Sequence, residues 1–215
     1  MLHDGKREAV DNDLIIKNPM RSVVRPTGGK ESHRDITEQE RDALLALGKQ
    51  KHEYLYFLLM YYCGCRPSEA GSVLGGDIKD GFLHIRGTKT SKADRYVPIP
   101  KSLREYMGER VPPEVNIVTH EKGTMSVYDR RKLWKSFQKD INEYLLKQTG
   151  KRRAKDLVPY CFRHAYCCIL LRANIPLKTA MTLMGHTDYK MILTVYQHTD
   201  ERMLDEAADL INAVV

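Results

Sequence analysis

No CxxC pair occurs among the five cysteines of this 215-residue chain, and no second cluster is present that could complete a zinc site. The cysteine count is odd, Cys167 and Cys168 are adjacent, and one glycine separates Cys63 from Cys65. Buried free thiols are therefore expected. No apolar run is long enough for a bilayer. The longest, Tyr54–Cys65, falls well short of the roughly 20 residues that a spanning helix needs. The opening stretch Met1–Val10 is charged and has no apolar core, so no signal peptide is read there and a cytoplasmic location is expected. Internal repeats and low-complexity stretches are also missing. No acidic cluster arranged for a metal is seen, which argues against a metal-dependent nuclease; neither metal nor cofactor is expected.

What is present is ordinary in bulk and unusual in distribution. Hydrophobic residues make up 42% and charged residues 29%, values of a globular chain that can bury a core as one domain with a short appendage. Net charge is +7 with a pI near 9.1. Ten basic residues lie between Asp129 and Asp156: Arg130, Arg131, Lys132, Lys135, Lys139, Lys147, Lys151, Arg152, Arg153 and Lys155. Only Asp129, Asp140, Glu143 and Asp156 oppose them. That excess suits a phosphate backbone, although a solvated helix face followed by a basic loop reads the same way. Asp200–Asp209 carries five acids and one arginine. A segment of that sign should meet protein rather than DNA.

Residues 1–34 read as the end of a preceding domain plus a linker, with Asn18-Pro19, Pro26 and Gly28-Gly29 as breakers. Thr37-x-x-Glu40 is a capping box opening a helix. A strongly apolar helix follows over His52–Cys63, ended by Gly64, and Pro67 suits the first turn of the next. Phe82–Arg86 and Arg95–Ile99 are β-prone runs, which predict a hairpin with a polar tip. Further helices are expected at about 101–108, 127–148, 160–173, 177–185, 188–195 and 201–213. The fold expected is mainly α with one small antiparallel sheet, 35–199 forming the principal domain. Residues 200–215 form an amphipathic helix that packs on its own domain or on a neighbouring protomer.

Five short pieces carry chemistry. Arg66 sits in Gly64-Cys65-Arg66-Pro67-Ser68-Glu69, and Lys89 in Gly87-Thr88-Lys89-Thr90. Arg163 and His164 lie in Pro159-Tyr160-Cys161-Phe162-Arg163-His164, His186 follows Gly185, and Tyr196 comes ten residues later. Each alone has a plain structural explanation, such as a surface arginine or a helix cap. As an ordered set they resemble the catalytic signature of tyrosine recombinases, the phage integrase family. That signature is an Arg in a G-x-R-x-x-E box, a hairpin Lys, an H-x-x-R box, a G-H pair and a Tyr. The resemblance runs from about Thr37 to His198. It implies the family's catalytic-domain fold, with a DNA-clamping N-terminal domain that would precede Asn18-Pro19 in an intact protein.

The resemblance implies site-specific cleavage and rejoining of double-stranded DNA through a 3′-phosphotyrosyl bond, by a homo-tetramer on DNA. Direct attack on a phosphodiester builds negative charge on its non-bridging oxygens, and fixed cations stabilise it. Two fork-shaped guanidiniums, Arg66 and Arg163, suit that task. Tyr196 is the nucleophile; its aryl phosphodiester stores the bond energy, so no ATP is required. Lys89, or Lys92 on the same loop, protonates the leaving 5′-oxygen, His186 bonds the phosphate, and Glu69 buttresses the arginines. The family's H-x-x-R histidine is Tyr160 here. A phenol still donates a hydrogen bond but is a poor base at neutral pH, which leaves His164 and His198 as candidate proton acceptors. Arg130, Arg131, Lys132, Lys135, Lys151, Arg152 and Arg153 are candidate backbone contacts. The alternative is a non-catalytic recombinase-like DNA-binding protein. A type IB topoisomerase or telomere resolvase shares the chemistry, but the Gly185-His186 pair and compact size favour a recombinase.

Overall fold

A computed structural model of the chain describes residues 34–87, 94–150, 154, 156–185, 192–193 and 195–196. All of these belong to one compact unit, His33–Val215. The elements are α1 (Glu38–Gln50), α2 (Leu55–Cys63), α3 (Pro67–Ala70), β1 (Ile78–Lys79), β2 (Phe82–Ile85), β3 (Arg95–Pro98), α4 (Lys101–Arg104), α5 (Val127–Thr149), α6 (Pro159–Arg172) and α7 (Leu177–Met184). The mainly helical expectation with a small sheet holds. The expected domain end and linker over 1–34, apart from Arg34, and the helix over 201–213 lie outside the described residues. So does the helix at 188–195, apart from residues 192–193 and 195, which are helical.

Helix α1 starts where its sequence dictates. Thr37 Oγ1 accepts the Glu40 N–H at 3.2 Å, and the Glu40 carboxylate accepts the Thr37 N–H at 2.9 Å. Arg34 donates to both Glu40 oxygens, at 2.8 and 2.6 Å. Burial pushes this carboxyl up, but the bonds from Arg34 and Thr37 outweigh it and hold it below the usual range. Thr37→Ala is expected to cost about 1 kcal/mol, as loss of an N-cap generally does. Urea unfolding would read the loss, and an unchanged midpoint would refute the capping role.

Helix α2 is apolar on every side, with Tyr62 its one residue that is not buried. Such a helix belongs in a core. It packs most extensively on α6. Phe57 of α2 lies 4.2 Å, ring to ring, from Phe137 of α5 and 5.7 Å from Phe162 of α6. The expected helix over His52–Cys63 begins instead with a 3₁₀ turn, His52–Tyr54, because the Tyr54 N–H reaches back three residues to the Lys51 carbonyl. The five cysteines are free thiols; Cys63, Cys65, Cys161 and Cys167 are buried and Cys168 is half-buried.

The sheet has strand order β1-β2-β3, all antiparallel. Ile85 faces Arg95 and Phe82 faces Pro98, so the two β-prone runs pair antiparallel as the expected hairpin requires. Strand β1 is an addition to the expectation. It joins β2 through Asp80 and Gly81, both at positive φ, the turn geometry that Asp-Gly favours. The helix expected over 101–108 is only one turn. Beyond Arg104 the amides of Tyr106 and Met107 bond three residues back, which tightens the chain, and Gly108 at positive φ ends it.

Candidate active site

Gly64 closes α2 in the left-handed conformation, φ +61°. A Cβ there would lie 2.3 Å from the Tyr166 ring, so only glycine fits. This turn sends its carbonyl toward two guanidiniums and places Arg66 at the head of α3, with Pro67 at the first helical position as expected. Glu69 folds back on that start. Its carboxylate accepts the Arg66 N–H at 2.8 Å and Arg66 Nη1 at 2.6 Å.

The same carboxylate gathers two more arginines. Arg95, the first residue of β3, donates Nη2 to Oε2 at 2.8 Å and Nη1 to Oε1 at 3.2 Å. Arg163 of α6 brings Nη1 within 3.8 Å of Oε2. Arg163 is 1% exposed and also donates to the carbonyls of Gly64 and Met184. Burial would raise the Glu69 carboxyl. The hydrogen bond and charge of Arg95, the Arg66 amide and the charge of Arg163 overcome this and lower it to about 2. Three guanidiniums on one carboxylate leave a concentration of positive charge at the junction of α2, α3, β3 and α6. Such a junction suits a phosphate.

Residues 34–203, most of the chain and all of the described part, match the phage integrase family. The chain belongs to that family. It is 26% identical over 196 residues to the tyrosine recombinase XerA of Thermococcus onnurineus, covering 88% of this chain and 68% of the relative. It is 27% identical over 215 residues to the tyrosine recombinase XerC of Chlamydia trachomatis, covering 94% of this chain and 66% of the relative. The chain thus spans about two thirds of these relatives' length. Among solved structures, the Tn1549 transposon integrase in complex with transposon right end DNA superposes with a TM-score of 0.63 at 16% identity, covering 98% of this chain and 78% of that one. The catalytic domain of bacteriophage HP1 integrase gives 0.55 at 17% identity, covering 82% and 94%. At these identities the likeness is one of fold.

Within this phage integrase fold, Arg66, Glu69 and Arg163 are brought together as the resemblance implied. Tyr160 is the second residue of α6, three before Arg163 on the same helical face, and is 39% exposed. Tyr196 is half-buried beside the buried Ile192 and Val195, and its hydroxyl donates to the Ile175 carbonyl at 2.9 Å. Burial, with a smaller contribution from Cys167, raises that phenol to about 12. His164 is half-buried on α6. Arg131, Lys132 and Lys135 stand exposed along α5, while Arg130 is half-buried and donates to the Met125 carbonyl at 2.7 Å.

Lys89, Lys92, His186, His198, Lys151, Arg152 and Arg153 lie outside the described residues. Their described neighbours do frame the site. Gly185, immediately before His186, has φ +77°, and a Cβ on it would sit 3.2 Å from Arg95 Nη1 and 3.7 Å from Arg66 Nη1. Glu69, Asp77, His84, Arg86 and Thr124 line a cavity of about 360 Å³ at the base of the hairpin. Among the described residues no group of three or more His, Cys, Asp or Glu is placed to hold a metal ion, and no helix is long and apolar enough to cross a membrane. Arg95 is the member that sequence reasoning missed. Its signal was there in the strand alternation, which puts position 95 on the same face as the buried Val97.

Proposed function

We propose that this chain is the catalytic part of a site-specific DNA recombinase, cutting and rejoining double-stranded DNA through a 3′-phosphotyrosyl bond to Tyr196. The observation that carries this reading is the gathering of Arg66 and Arg163, far apart in sequence, on the single carboxylate of Glu69. Preorganised guanidiniums stabilise the charge that develops on a phosphodiester under attack. Arg66, whose side chain is 18% exposed, grips the phosphate from the surface. Arg163 engages it once incoming DNA displaces the Met184 carbonyl.

In the cleavage step Tyr196 Oη bonds to phosphorus and the bond from phosphorus to the 5′-oxygen breaks. The phenolic proton passes to His164 or His198, and Lys89 or Lys92 delivers a proton to the leaving oxygen. His186 and Tyr160 donate hydrogen bonds to the phosphate. A 5′-hydroxyl then reverses the same steps, so neither cofactor nor ATP enters. The Tyr196 hydroxyl must leave the Ile175 carbonyl before it attacks. Arg130, Arg131, Lys132 and Lys135, together with Lys151, Arg152 and Arg153, track the backbone. A homo-tetramer on DNA supplies the four cleavages that exchange two duplexes, and the protein acts in the cytoplasm of a prokaryotic cell or viral host, at the nucleoid.

A nicked suicide duplex tests this. Loss of the short 5′-hydroxyl fragment should trap a covalent adduct that survives denaturation, forms in EDTA and maps to the peptide containing Tyr196. Binding with no adduct would favour the non-catalytic reading instead. An adduct on another residue would overturn the assignment of the nucleophile.

A further inference from the structure

The inside face of the hairpin holds a charge where a small sheet packed on a helical core needs apolar side chains. Alternation along β3 turns Arg95 and Val97 inward and Tyr96 and Pro98 outward. Arg95 is only 4% exposed. A buried guanidinium is costly unless its donors are met, and here each direction of the fork finds an acceptor. Nη1 and Nη2 take the two oxygens of Glu69, Nε donates to the Leu183 carbonyl at 2.8 Å, and Nη2 reaches the Gly64 carbonyl at 3.4 Å.

These bonds join four elements that the reaction requires in register. Glu69 holds Arg66 by side chain and backbone. The Gly64 carbonyl is shared with Arg163. Leu183 lies in the last turn of α7, two residues before Gly185, which packs against the guanidiniums of Arg95 and Arg66. Strand β3 follows directly on the segment of sequence that contains Lys89 and Lys92.

We propose that Arg95 is a positioning residue for DNA cleavage, locking Glu69, and through it Arg66, while pinning the lysine-bearing hairpin to the end of α7. The proposal rests on the recombinase reading above. Arg95 touches a carboxylate and carbonyls rather than the reacting atoms, so it acts through the geometry of others. Without it, Glu69 keeps Arg66 and Arg163 but loses the bidentate partner that fixes its rotamer, and the hairpin loses its tether to Leu183. A lysine carries the charge but cannot bridge two carboxylate oxygens and a carbonyl at once.

The test compares the full chain with Arg95→Gln and Arg95→Lys, using single-turnover cleavage of the nicked suicide duplex at saturating protein. Affinity for an intact duplex and thermal melting are measured alongside. Glutamine is expected to slow cleavage about 100-fold and lysine about tenfold, since 1.4 to 3 kcal/mol of lost orientation has that effect. Affinity should stay within threefold of wild type. If the glutamine variant does not fold, the lysine variant decides. A folded variant of either kind cleaving within threefold of wild type, or a loss lying wholly in affinity, overturns the positioning role. Wild-type protein that forms no adduct overturns the recombinase reading first, and this inference with it.

Discussion

Tyr196→Phe is expected to abolish the covalent adduct, lowering its formation by about 10⁴-fold or more while DNA affinity stays within threefold of wild type. Removing the nucleophile leaves the arginines with a polarised phosphate and nothing to attack it, and losses on that scale follow when a group forming the covalent bond is deleted. The fold should tolerate the change. The ring lies in a half-buried setting, and among the described residues the hydroxyl bonds to the Ile175 carbonyl, so the stability cost is about 1 kcal/mol. Burial also makes the resting phenol a poor nucleophile, since it holds the hydroxyl protonated up to about 12. Gel shift and denaturing-gel assays on the same nicked duplex separate binding from adduct formation. An adduct persisting in Tyr196→Phe would move the nucleophile elsewhere, and the exposed Tyr160 would be examined first.

Much of this arrangement was legible in the sequence because local rules fix it. Gly64 and Pro67 bracket a helix end and a helix start, and Thr37 with Glu40 spells its own cap. The box Arg66-x-x-Glu69 places acid and base one helical turn apart, so their ion pair follows from spacing alone. Arg95 was hidden for the opposite reason. Its partners lie 26 residues away at Glu69 and 88 away at Leu183, and an arginine in a short strand reads as solvent-facing until its counter-charge is known. Strand β1 escaped notice because two residues carry no periodicity; only the Asp80-Gly81 turn marks it. For Arg163 the sequence indicated the neighbourhood but not the depth, since its burial comes from α2 and α7 closing over α6.

The second large effect belongs to Glu69. Glu69→Gln keeps the shape of the side chain but removes the counter-charge of Arg95 and Arg163, which are 4% and 1% exposed. Breaking a buried ion pair by deleting one partner typically costs about 3–5 kcal/mol, because the remaining charge stays desolvated. The variant should unfold that much more easily in urea at neutral pH. Acid supplies an independent check. The Glu69 carboxyl sits at about 2 in the fold against 4.5 for an ordinary glutamate, so the unfolded chain binds its proton first. The stabilisation is fully present above about pH 4.5 and disappears as pH falls toward 2. From the shift alone it is on the order of 3 kcal/mol, in line with the deletion cost. Glu40, Asp129 and Asp140 are also held low, but they titrate in both proteins and cancel in the comparison. Subtracting the two urea stabilities at each pH should therefore give a difference that is largest above pH 4.5 and narrows toward pH 2. If the difference is under about 1 kcal/mol at neutral pH, or does not change with acid, Glu69 is not the anchor on which the three arginines depend.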